Sequence, residues 1–154
     1  MRGFDWAKKV KGRKRQLLVD TEGFVLWAVV QPANATERQG AVALLREGLR
    51  RFTTVELVWA DAGYEGEALE EWLENSLEVR LELVHRLQGG EPTEGFVVAP
   101  RRWVVERTFS WIVRNRRMRC DYEFVPESSE AFIHVAMSRL MLKRLARSEA
   151  KEAA

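Results

Sequence analysis

The sequence predicts an α/β layered domain built on a mixed sheet. Three observations predict it. Two apolar, β-prone runs flank the turn signal Asp20-Thr21-Glu22-Gly23. Short strand-like runs then alternate with stretches at helical spacing. The chain closes on two helical stretches, giving the order hairpin, helix, strand, helix, strand, helix, helix.

Each element has a local reason. Residues 8–15 form a charged lead into a strand whose apolar part is Gln16–Val19, and Phe24–Val30 is its partner, so 14–30 is a hairpin. Pro32-Ala33-Asn34-Ala35-Thr36 is a loop, and Thr36 caps a helix over about Glu37–Arg51 with Val42, Leu45 and Leu49 at helical spacing. Val55–Ala60 is a short buried strand, followed by the loop 61–66. Glu67–Asn75 is a helix with Leu69, Trp72 and Leu73 inward. Leu77–Val84 alternates apolar and charged residues with period two, the mark of a half-buried strand. Gln88–Glu94 is a polar loop, and Phe96–Val98 a brief extended segment. Pro100 precedes a helix over about Arg101–Met118 with Val105, Phe109 and Ile112 inward. Pro126 opens a last helix to about Ala146.

Composition narrows the function classes. A chain of 154 residues with 46% hydrophobic residues suits one globular domain with a real core. One cysteine, Cys120, excludes an internal disulfide and fits a reducing cytoplasm; it reads as a small buried or half-buried apolar residue. No apolar run has the length of a membrane span, and no signal peptide is expected. Net charge is only +2, yet the charges are sorted. Residues 1–20 carry seven Lys or Arg against two Asp, and residues 101–119 carry seven Arg against Glu106 alone. The stretch 56–94 carries eleven acids against two Arg, and reads as a solvated face. The two basic segments place positive potential where a polyanion can sit.

Two carboxylates stand out. Asp61 follows the apolar strand Leu57-Val58-Trp59-Ala60, and ligands of open α/β sheets bind outside the carboxyl ends of strands. Capping of the next turn explains it equally well. Glu106 is the one acid on a basic helix, beside the apolar face of Val105 and Phe109. It either reaches a cleft or pairs on the surface with Arg102, one turn earlier. In the first case Arg102 can hold a phosphate bidentately. Two hard carboxylates suit Mg²⁺, and a metal pair can activate a nucleophile and stabilise the leaving oxygen of a phosphodiester. One cysteine and two distant histidines, His85 and His134, make no zinc site, and Gly89-Gly90 makes no phosphate loop.

Longer strings carry a family resemblance. Lys9-Val10-Lys11-Gly12-Arg13-Lys14-Arg15 followed by Leu17-Leu18-Val19-Asp20-Thr21-x-Gly23 resembles the opening of many insertion-sequence transposases of the DDE class. Trp59-Ala60-Asp61-Ala62-Gly63-Tyr64 resembles the segment bearing their second catalytic Asp. Pro100-Arg101-Arg102-Trp103-Val104-Val105-Glu106-Arg107-Thr108 resembles the helix bearing their catalytic Glu. The match continues through Arg116-Arg117, Asp121-Tyr122-Glu123 and the last helix, covering nearly the whole chain in order.

The resemblance implies a ribonuclease H-like mixed sheet flanked by helices, with two-metal cleavage and strand transfer of DNA by Mg²⁺ or Mn²⁺. It implies that Asp61 and Glu106 are catalytic and bind metal, and that Arg102 contacts DNA. Lys11, Arg13, Lys14, Arg15, Arg114, Arg116 and Arg117 are the further cations expected to meet DNA. The sequence departs from the family's pattern where the basic run ends in Gln16 rather than His, and where Val113 stands in place of a Lys found in some branches. The strand of the first catalytic Asp, central in such sheets, is expected ahead of Met1, and neither Asp5 nor Asp20 is a good substitute. Residues 1–154 are therefore expected to be the C-terminal part of a bacterial transposase catalytic domain. The expected setting is cytoplasmic and nucleoid-associated, as a homodimer on DNA, completed by the product of an upstream reading frame. The competing readings are a non-catalytic DNA-binding or dimerising remnant and an unrelated metal nuclease.

Overall fold

The computed structural model describes residues 2–84 and 103–152. Its strands are β1 (Gly3–Asp5), β2 (Val10–Val19), β3 (Val25–Pro32), β4 (Leu57–Asp61) and β5 (Arg80–Val84). Its α-helices are α1 (Glu37–Arg51), α2 (Glu67–Leu77), α3 (Trp103–Val113) and α4 (Pro126–Glu152). The α/β class holds, and among the described residues the strands form two sheets. One is antiparallel, in the order β1-β2-β3, and the other is the parallel pair β4-β5.

The first hairpin is not anticipated from the sequence. Asp5 Oδ1 accepts the N–H groups of Ala7 at 3.0 Å and Lys8 at 2.9 Å. Lys9 adopts a left-handed φ of 53°, and the chain turns back so that β2 begins at Val10, inside the supposed charged lead. The second hairpin closes as expected. Asp20 Oδ1 accepts from Glu22 at 2.9 Å and Phe24 at 2.8 Å, and Gly23 supplies φ +85°.

α1 matches its predicted bounds. Thr36 accepts from Gln39 N–H at 3.2 Å while the Gln39 side chain accepts from Thr36 N–H at 3.1 Å, a closed capping box. Its buried face is Ala41, Leu44, Leu45 and Leu49, with Val42 only partly buried, and it joins Leu18, Leu69 and Leu73 in one core. A second core on the other face of β2–β3 collects Ala28, Val30, Ile112, Met118 and Ile133.

α3 is shorter than the spacing predicts. Asn115 Nδ2 donates to the carbonyls of Trp111 and Ile112 at 3.3 and 3.1 Å, and a separate 3₁₀ turn at Arg116–Met118 follows. The fully buried residues of α3 are Thr108 and Ile112, while Val105 stays 36% exposed. The Thr108 hydroxyl donates to Gly23 C=O at 2.6 Å and so seats the helix on the hairpin turn. α4 runs past Ala146, and its Glu130 accepts the outward N–H of Val30 at 2.7 Å. Cys120 is exposed, against the expectation of burial, because its segment is held through backbone carbonyls. The expected loop 88–94, the extended segment 96–98, His85 and the start of the Arg-rich helix lie outside the described residues.

Candidate active site

β2 and β4 do not pair. Between them lies a cleft of about 830 Å³, lined by Arg15–Val19 of β2, by Asp20 and Thr21 of the turn after it, and by Glu56 and Leu57–Asp61 of β4. α1 closes one side with Leu44 and Leu45, and α3 borders it with Val105, Glu106 and Phe109. α1 lies against Gln16 and Leu18 through Gly40 and Gly48, where a Cβ would strike those side chains.

Asp61 is the last residue of β4 and is exposed. Its Oδ1 accepts Gly63 N–H at 3.0 Å, and a Cβ on Gly63 would sit 3.0 Å from that oxygen. The turn-capping reading of Asp61 therefore holds as geometry, and the carboxylate lines the cleft all the same. Tyr64 stands beside it, and burial, with the nearby charges of Glu37 and Asp61, pushes its hydroxyl up to about 12. Lys14 reaches Glu37 at 2.9 Å and Ala35 C=O at 3.1 Å. Sequence reasoning did not place Glu37 near Tyr64 and Asp61, since that approach depends on how α1 crosses the sheet, whereas Tyr64 follows Asp61 in the same loop.

Glu106 lies on the exposed side of α3. Next to it, Arg107 lies over the Trp103 and Trp111 rings at 4.1 and 4.8 Å and donates to Glu22 C=O at 2.6 Å. Asp61 and Glu106 thus border the same cleft, though no group of three or more His, Cys, Asp or Glu suited to a metal ion occurs among the described residues. Asp20 also lines the cleft, with its Oδ1 committed to the hairpin turn. The Lys8 N–H, opposed by desolvation and aided by the Ala7 N–H and the charges of Lys14 and Lys8, holds the Asp5 carboxyl below its ordinary value.

The expected DNA-contacting cations divide into two sets. Lys11, Arg114 and Arg116 are exposed. Arg13 is 2% exposed in its side chain; it pairs with Asp121 at 2.9 Å and donates to the carbonyls of Glu123 and Phe124 at 3.0 and 2.7 Å. Arg15 donates to the carbonyls of Met118 and Cys120 at 2.6 and 3.4 Å. Arg117 pairs with Glu123 at 2.8 Å and covers the Phe132 ring at 4.4 Å. Arg102 lies outside the described residues.

Residues 2–141 match the family model described as the transposase DDE domain. The chain belongs to that family. Neither the curated proteins nor the solved structures contain a match. Membership in the transposase DDE domain family implies DNA transposition, by metal-dependent cleavage and transfer of DNA strands, and DNA as the partner. Hard carboxylate oxygens are the donors a divalent cation such as Mg²⁺ takes. Asp61 and Glu106 fit that chemistry in kind, and the described residues supply no third carboxylate in a cluster with them. No helix among the described residues is long and apolar enough to cross a membrane.

Proposed function

We propose that residues 1–154 are the downstream part of a bacterial DDE transposase catalytic domain of ribonuclease H-like fold, completed by a segment ahead of Met1. Asp61 and Glu106 hold Mg²⁺ or Mn²⁺, and the third carboxylate comes from that segment. The observation that carries the reading is the shared cleft: a strand-end Asp and a helix-borne Glu, far apart in sequence, border one opening. When bound, the metal pair supplies activation of a water or 3′-hydroxyl and stabilisation of the leaving oxygen. The chain's own residues position the reacting strand. Gly63 holds the Asp61 carboxylate at the strand end, and Arg107 and Thr108 fix the helix that presents Glu106. Arg102, four positions before Glu106 in the sequence, is the proposed contact to the reacting phosphate.

Lys11, Arg114 and Arg116 form the proposed outer phosphate contacts, with Arg117 shared between DNA and Glu123. Arg13, Lys14 and Arg15 act mainly by shaping that surface, since their heads are bound within the chain. A dimer on the DNA ends is part of the same proposal. The test is an in-frame fusion of an upstream segment carrying an Asp-bearing strand. The fusion should cut and join DNA with Mg²⁺ or Mn²⁺, and Asp61→Ala or Glu106→Ala should remove activity and metal binding while leaving the thermal midpoint in place. Cleavage by residues 1–154 alone that survives Asp61→Ala would overturn the assignment.

A non-catalytic, DNA-binding remnant is the second reading, favoured by the lack of a three-ligand cluster among the described residues. It expects DNA binding that is indifferent to divalent metal and to Asp61→Ala, even in the fusion.

A further inference from the structure

The hairpin of β1 and β2 carries an aromatic surface away from the cleft. Its strands run antiparallel, with Phe4 opposite Lys11 and Gly3 opposite Gly12. Residues directly opposite each other share a face of the ladder, and so do side chains two apart on one strand. Arg2, just before β1, and Phe4 therefore lie on the same face as Lys11 and Arg13. Long-range hydrogen bonds lay a further segment on that face. Arg2 donates to Asp121 C=O at 2.8 Å, and Arg13 donates to the Asp121 carboxylate and to the carbonyls of Glu123 and Phe124. Trp6, first in the turn after β1, meets Phe4 edge-on with 4.8 Å between ring centroids. Asp5 lies on the opposite face, its Oδ1 committed to the turn.

These rings stand in solvent. Trp6 is 82% exposed and Phe124 93%, and Phe4 and Tyr122 are exposed as well. An indole in water forgoes one of the largest burial gains a side chain can make, so rings gathered on one exposed face mark a contact surface. The charges point to the kind of partner. Lys8, Lys9 and Lys11 are exposed around the same turn. The acids of the neighbouring segment are neutralised within the chain, Asp121 by Arg13 at 2.9 Å and Glu123 by Arg117 at 2.8 Å. Ring faces set among cations suit a chain of flat bases and phosphates. In a duplex the faces of each base are already covered by its neighbours, so only unpaired bases can stack on protein rings. We infer that this hairpin face is a stacking platform for unpaired DNA. Phe4 and Trp6 receive bases, Lys9 and Lys11 hold the flanking phosphates, and Tyr122 and Phe124 extend the surface. The platform deepens the proposed function by naming the state of the strand it holds, and it shares no residue with the cleft of Asp61 and Glu106.

The test uses the full chain with a chelator present, so that cutting does not enter. Binding is read by fluorescence anisotropy on a labelled oligothymidine of about 15 nucleotides, and on a duplex of the same length. Trp6→Leu keeps an apolar side chain and removes the ring. It should weaken oligothymidine binding about fivefold or more, while the duplex, held through its phosphates, should keep its affinity. Trp6→Phe should recover most of the loss. Lys9→Gln with Lys11→Gln should flatten the salt dependence on the single strand, whose slope is about −0.7 per neutralised phosphate. All three side chains are exposed, so the thermal midpoint should stay in place. Failure to bind oligothymidine, equal weakening on both forms of DNA, or full binding by Trp6→Leu overturns the platform. In the last case, loss of self-association in sedimentation, or of binding to anionic vesicles, would make the rings a contact to a second copy or to a membrane surface. A chain that never cuts DNA in any fusion keeps the platform and loses the catalytic reading. A fusion that cuts DNA, with oligothymidine binding indifferent to Trp6, keeps the catalytic reading and loses the platform.

Discussion

Arg13 shows how one side chain can be read two ways. It sits in a basic run, where a polyanion contact is the natural expectation, yet its guanidinium is buried against Asp121 and two carbonyls of the segment before α4. Removing one partner of a buried ion pair typically costs about 3–5 kcal/mol, because the other charge is left uncompensated. Arg13→Ala should therefore lower the unfolding free energy, extrapolated from urea titrations, by an amount in that range. Arg13→Lys should restore only part of it, since an ammonium cannot reach all three acceptors in a fork. Asp61 depends on its neighbour in a different way. Gly63→Ala would bring a Cβ to 3.0 Å from Asp61 Oδ1. In the active fusion it should weaken Mg²⁺ binding, measured by calorimetry, with little change in thermal midpoint. His134 gives a pH signature. Burial lowers its pKa from the ordinary 6.5, only partly opposed by Glu130. The folded state thus holds fewer protons than the unfolded one as pH falls below 6.5, so stability is present above that value and declines beneath it. His134→Gln should flatten this decline in urea titrations between pH 7 and pH 5.

At the level of elements, the hairpin turn and α3 stand or fall together. Gly23 has φ +85°, and an added Cβ there would sit 2.8 Å from the Thr108 hydroxyl. Gly23→Ala should therefore cost more than the roughly 1 kcal/mol scale of ordinary Gly/Ala exchanges, through left-handed strain and loss of the α3 seat. α1 was legible because its signal is local: Thr36 and Gln39 satisfy each other across three residues, and the structure starts the helix at Glu37. The end of α3 was not legible. Its apolar spacing runs on toward Met118, but the Asn115 side chain takes the carbonyls that a continuing helix would use. β1 was missed for a related reason. Three residues carry no periodicity, and the turn that makes them a strand is held by the Asp5 side chain accepting the backbone N–H groups of Ala7 and Lys8.

For the whole molecule, the prediction is electrostatic. If the exposed cations meet phosphates, log affinity for duplex DNA should fall linearly with log salt, with a slope of about −0.9 per neutralised phosphate. The Arg114→Ala, Arg116→Ala, Arg117→Ala triple variant should flatten that slope. Most of the change should come from Arg114 and Arg116, because Arg117 already holds Glu123. Salt-insensitive binding would count against a DNA surface there.

The sequence by itself determined the α/β class, the hairpin, α1, the strand ending near Asp61 and the family strings, because each rests on neighbours within a few turns of chain. Asp61 and Glu106 were both named from their local settings. Only the tertiary structure decided that they border one cleft, since that depends on β4 and α3 packing around the same gap. It also decided that Arg13 and Arg15 bind carbonyls about a hundred residues away instead of pointing outward. A basic run has the same composition whether its heads meet phosphate or backbone. The choice falls to whichever segment the fold brings within hydrogen-bond reach.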